Sequence, residues 1–86
     1  MAELRVSVVS ADREVWSGVA KQVVARTTEG EIGILPDHEP LLGILSAGEV
    51  RITPVDGAVI VAQADDGFLS VENNTVTIVA GAAALV

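Results

Sequence analysis

Apolar and polar residues alternate two by two along much of this chain. Leu4, Val6 and Val8 alternate with Arg5 and Ser7, and from Thr75 to Ala80 the residues Val76 and Ile78 alternate with Thr75 and Thr77. Period two marks a half-buried strand. Ser10-Ala11-Asp12-Arg13 reads as a turn, followed by a short return segment, Glu14 to Ser17, that carries Trp16 and stops at Gly18. Lys21 to Thr28 is rich in valine and threonine, which suit a pleated surface. Glu29-Gly30 is a hairpin turn, Ile32 to Leu35 the strand leading back, and Leu41 to Leu45 a short apolar strand. Gly48 opens another, with Val50 and Ile52 on one face. Asp56-Gly57 turns it, because both residue types tolerate positive φ. Ala58 to Gln63 returns, Asp65-Asp66-Gly67 turns again, and Asn73-Asn74 closes a last hairpin after Phe68 to Glu72.

Turns that arrive every eight to twelve residues predict an all-β fold, a sandwich or barrel of roughly ten short antiparallel strands, with little or no helix. The alternation points Val6, Val8, Val23, Ile34, Ile52, Val61, Phe68, Val76 and Ile78 inward. The sandwich is expected over 1–80. The alanine-rich end, 81–86, reads as the start of a helix too short to be stable alone.

Composition narrows the class. A chain of 86 residues is one small domain, and with 50% hydrophobic residues it is not a disordered one. Trp16 and Phe68 are the only aromatics, so the core is built from Val, Ile, Leu and Ala. Cysteine is absent, which removes disulfides and thiolate chemistry. Net charge is −7, and the five basic residues Arg5, Arg13, Lys21, Arg26 and Arg51 are scattered. A nucleic acid or an anionic membrane surface needs a basic patch, so both are poor partners. No apolar run approaches the ~20 residues that span a bilayer. Met1-Ala2-Glu3-Leu4-Arg5 lacks the basic start and apolar run of a signal peptide.

The densest chemistry lies in Gly30-Glu31-Ile32-Gly33-Ile34-Leu35-Pro36-Asp37-His38-Glu39-Pro40-Leu41-Leu42, which holds the only histidine. Glycine opens backbone conformations and proline closes them, so this reads as a shaped loop pinned by the apolar pairs Ile34-Leu35 and Leu41-Leu42. Asp37-His38-Glu39 are three adjacent metal-ligand types. Consecutive loop residues rarely converge on one ion, however, and no second His or Cys stands at ligand spacing. His38 with Ser10, Ser17, Ser46 or Ser70 makes no nucleophile-elbow motif. Gly30, Gly33 and Gly43 lack the lysine of a phosphate loop, so neither cofactor nor nucleotide is expected. A protein-binding loop and a ligand- or metal-binding loop at 30–40 are both compatible with these residues.

The stretch resembles the epsilon subunit of F-type ATP synthases. Leu45 and Gly48 extend the likeness. Val8-Val9-Ser10-Ala11-Asp12-Arg13-Glu14-Val15-Trp16-Ser17-Gly18 resembles that family's opening strand and turn, and Gly67-Phe68-Leu69-Ser70-Val71-Glu72-Asn73-Asn74-Thr75-Val76-Thr77-Ile78 resembles its last hairpin. The resemblance implies a flattened β-sandwich at the foot of a central stalk, bound to the gamma subunit, resting on the c-ring and coupling proton flow to ATP synthesis. It implies a non-catalytic subunit, peripheral to the cytoplasmic face of a bacterial-type membrane and not inserted in it. Gly30, Glu31 and Ile32 match the c-ring contact, with Glu31 facing polar c-ring loops; Ser10 and His38 match positions near gamma. Without the resemblance, Glu31 reads as a solvated charge beside a turn. The family continues into an inhibitory two-helix hairpin, expected to begin where this sequence stops at Val86. Asp37 and Asp66 stand where the family commonly has glycine.

Overall fold

The structure is a computed structural model that describes residues 3–11 and 13–86. Met1, Ala2 and Asp12, the last of which the sequence puts in the first turn, lie outside the described residues. Strands follow in the order β1 (Leu4–Ser10), β2 (Arg13–Thr27), β3 (Gly30–Ile34), β4 (Leu41–Leu45), β5 (Gly48–Pro54), β6 (Ile60–Glu72) and β7 (Thr75–Leu85). The all-β expectation holds, with seven strands among the described residues instead of ten. The number falls because two segment pairs merge, Glu14–Ser17 with the segment from Lys21 to Thr27 in β2 and the segment from Ile60 to Gln63 with Phe68–Glu72 in β6; β7 likewise runs on through residues 81–85.

Each merged strand serves two layers. In the first layer β4, the second half of β6, the first half of β7, β1 and the first half of β2 lie side by side. In the second, β3, the end of β2, β5, the first half of β6 and the end of β7 do so. Inward side chains of both layers form one core cluster that includes Val6, Val8, Leu69, Val71, Val76 and Ile78 from the first and Val23, Ile34, Val50 and Ile52 from the second. Ladders are antiparallel except β1–β7, which is parallel, with Arg5↔Thr75 through Val9↔Val79 in register.

A strand that crosses between layers must change which residues face inward, and all three do. In β2, Ala20 is buried and then Val23 and Ala25, across a register shift at Ala20/Gln22. In β6, Ala62 and Ala64 are buried and then Leu69 and Val71; between them Asp66 has φ 50°. In β7, Ala80 is buried and Gly81 exposed, and the partly buried Ala83 then packs on the core. One left-handed residue inside a strand shifts the alternation by one position. This overturns two inward assignments: Phe68 points out and is 44% exposed, with Leu69 filling the core at 0%, and Val61 is half-buried while Ala62 is buried.

The expected helix start at 81–86 is instead strand. Ala82–Leu85 pair with Ala62–Asp65, and the Val86 N–H donates to the Val61 carbonyl at 2.9 Å. A short alanine run gains more from an open sheet edge than from an isolated helical turn. Trp16 lies over Gly18, where an added Cβ would come within 2.8 Å of the indole, and packs on the core edge.

Ile78 is fully buried, so Ile78→Ala is expected to cost about 2–5 kcal/mol in a denaturant titration. Phe68→Ala, which removes a side chain from the surface, should cost under ~1 kcal/mol by the same measurement. Equal losses would show that Phe68 does not point outward from β6.

Candidate functional site

The stretch read as one shaped loop divides in two. Residues 30–34 are strand β3, and only 35–40 form a loop. At the β2–β3 turn the Thr27 hydroxyl donates to the Gly30 carbonyl at 2.8 Å and accepts from the Glu29 N–H at 3.2 Å. Gly30 itself has φ 122°, a conformation that glycine adopts without strain. Glu31 follows, exposed, in register with Arg26 on β2. Among the described residues Arg26 makes no salt bridge to it; the ion pair on this outer face is Arg51 with Glu49 at 3.4 Å, both well exposed. Gly30, Glu31 and Ile32 also line one wall of a cleft of about 350 Å³, whose other wall is Leu41 to Ile44 of β4.

The 35–40 loop is tied to the rest of the chain by a side-chain exchange. Asp37 takes φ 67°, the left-handed alternative that an aspartate after Pro36 must choose against a type I turn. Its backbone N–H donates to Asn74 Oδ1 at 2.6 Å, and Asn74 Nδ2 donates back to Asp37 Oδ1 at 3.2 Å. Asn73 and Asn74 sit at φ 51° and 60°, the geometry of the two-residue hairpin turn that the sequence predicts. His38 is half-buried, and its Nδ1–H donates to the Glu39 carbonyl at 2.7 Å. A carbonyl can only accept, so neutral His38 carries its free lone pair on Nε2.

Ser10 is buried at 7% exposure, and its hydroxyl donates to the Arg13 carbonyl at 3.3 Å. The two positions matched to gamma therefore lie far apart. Ser10 ends β1, whereas His38 adjoins Asn74, whose carbonyl accepts the Arg5 N–H at the start of β1. Five residues of strand, about 17 Å, separate those ends.

Between them lies a surface that sequence reading missed. Val9, Val79, Phe68 and Ile44 stand opposite one another across β1, β7, β6 and β4, all on the outer face. Ile44 is 64% exposed, and Leu42, one step along β4, is 73% exposed. The signal was present in the adjacent apolar pairs Leu41-Leu42, Ile44-Leu45 and Phe68-Leu69. A strand with apolar residues on both faces is covered on both. Among the described residues no three His, Asp or Glu side chains are grouped to hold a metal ion, and no helix is long and apolar enough to cross a membrane.

The fold and the site define a small β-sandwich domain with an apolar outer row, an acidic turn and a braced loop. The family model for the β-sandwich domain of ATP synthase delta/epsilon chains matches residues 3–86, and the chain belongs to that family. It is 52% identical over 84 residues to the ATP synthase epsilon chain of Streptomyces coelicolor, covering 98% of this chain and 68% of that one. The corresponding protein of Micrococcus luteus is 52% identical over 85 residues, covering 99% of this chain and 93% of its own length. In fold, a chain of the Euglena gracilis mitochondrial ATP synthase, solved as OSCP/F1/c-ring in rotational state 1, matches with TM-score 0.91 at 23% identity, covering 99% of this chain and 54% of that one. The chain thus spans about half of that structural neighbour.

Proposed function

We propose that this chain is a non-catalytic central-stalk subunit of a proton-translocating F-type ATP synthase, which binds the gamma subunit and the c-ring and couples proton flow to ATP synthesis. It is peripheral to the cytoplasmic face of a bacterial membrane, held there through the c-ring without inserting into the bilayer. The observation that carries this reading is the outward-facing apolar row Val9, Val79, Phe68 and Ile44 on a member of the epsilon family, with Phe68 and Ile44 exposed and the two valines half-buried. A single partner that reaches both Ser10 and His38 must lie along β1 and β7, and the row is what it would cover. Burying such a row is favourable in proportion to the apolar area removed from water.

Glu31 serves the second partner. It stands on the other layer, at a turn braced by Thr27, so it presents charge on backbone that is already ordered and loses little entropy on binding. The c-ring surface opposite it carries a compensating donor. Co-purification with a gamma subunit tests the first contact. For the second, Glu31→Gln and Glu31→Arg are expected to weaken proton pumping in reconstituted vesicles, with Glu3→Gln as the control. Pumping equal to wild type in both would make Glu31 an ordinary solvated acid.

A further inference from the structure

We propose that Asn74 is a positioning residue for the docking loop: by clasping Asp37 it fixes where His38 stands for the gamma partner. The inference rests on the central-stalk reading above and adds to it a residue that touches no partner itself. Among the described residues, the hydrogen bonds that join the 35–40 loop to another segment are the two made between Asp37 and Asn74. The loop has a proline at each end of its polar part, which limits the backbone donors available for anchoring it elsewhere. Asn74 in turn is held by its own carbonyl, which accepts the Arg5 N–H at 2.8 Å. One residue thereby joins β1, the β6–β7 turn and the loop. Its backbone is fixed to the sheet, and its side-chain amide supplies one donor and one acceptor that match the N–H and carboxylate of Asp37.

The chemistry of position 37 agrees. A left-handed aspartate is strained relative to glycine, which would adopt φ 67° freely. What aspartate adds is the carboxylate that receives the Asn74 amide. The loop therefore trades backbone ease for a second hydrogen bond and a more closely defined pose, and a partner meeting it finds His38 already placed.

Asn74→Gly tests this cleanly, because glycine keeps the left-handed turn and removes only the clasping amide. Three measurements are made on the full chain. Amide hydrogen exchange at Asp37 in the free protein is expected to speed up by about tenfold, the effect of losing one good hydrogen bond, with the melting temperature little changed. Dissociation from the gamma subunit is expected to accelerate several-fold. In a His38→Ala background the same Asn74→Gly change is expected to add nothing, since a positioning residue acts only through what it positions. Unchanged exchange at Asp37 would overturn the clasp, and an equal acceleration with and without His38 would overturn the positioning role. If wild type itself fails to bind gamma, the central-stalk reading fails and this proposal loses its partner, while the exchange measurement still reports separately on the clasp.

Discussion

Replacing Gly67 by valine is expected to be among the most damaging single changes in this protein, with a loss of about 3 kcal/mol or more. Gly67 lies where β6 crosses from one layer to the other, directly under β7. A Cβ built there would come within 2.7 Å of the Ala80 Cα and closer still to the Val79 carbonyl oxygen. Both are backbone atoms paired into the sheet, so they cannot swing aside as a side-chain tip would. Relief requires opening the β6–β7 ladder at the point where it joins the two layers. Total stability for a chain of this length is about 4–13 kcal/mol, so the loss takes a large share of it. Guanidinium titration of Gly67→Val and Gly67→Ala checks this, with Gly33→Ala as a comparison at a position where a Cβ would meet only the Gln22 side-chain nitrogen, at 4.0 Å. A Gly67→Val midpoint within error of wild type would mean that the strands do not approach as closely as the structure has them.

The second large effect falls on binding. Ile44→Asp and Phe68→Asp each place a charge in the outer apolar row without entering the core, since Ile44 is 64% and Phe68 44% exposed. The isolated chain should keep its melting temperature. Affinity for gamma should fall about a hundredfold or more, the usual size of a central contact residue at an interface. Lys21→Asp is the control, a charge change at an exposed site away from the row. Wild-type affinity in both row variants would show that gamma docks elsewhere on the sandwich.

Much of this fold is legible in the residues. The alternation of β1 and the first half of β7 is right to the residue, and Asn73-Asn74 is a turn as its chemistry requires, whereas Asp56-Gly57 lies in a longer bend between β5 and β6 with Gly57 alone at positive φ. What misleads is that a bend in a long strand uses the same residues as a turn between two strands. Asp65-Asp66-Gly67 has hairpin composition, yet the chain passes through it and continues, with Asp66 left-handed inside β6. Phe68, Ser70 and Glu72 alternate with Leu69 and Val71, and the alternation alone does not say which set faces inward; the structure buries Leu69 and Val71. The parallel β1–β7 pairing is equally invisible, since nothing local encodes which distant strand lies alongside. At the site, the family likeness picks out Gly30, Glu31, Ile32, Ser10 and His38, but not that Ser10 is buried or that Asn74 holds the loop. The outer row was hidden in runs of paired apolar residues, which put apolar side chains on both faces of a strand.

β7 is the last strand in the sequence, yet its first half stands inside the sheet, between β1 and β6. β1 therefore waits for the distant β7 before its second edge is satisfied. A topology dominated by such distant pairings folds in milliseconds to seconds, far more slowly than a helical bundle of equal size. Val79 joins Val9 and Phe68 into a continuous row only at that final step. Assembly is thereby ordered by the topology itself: the outer row stays incomplete until β7 is seated between β1 and β6.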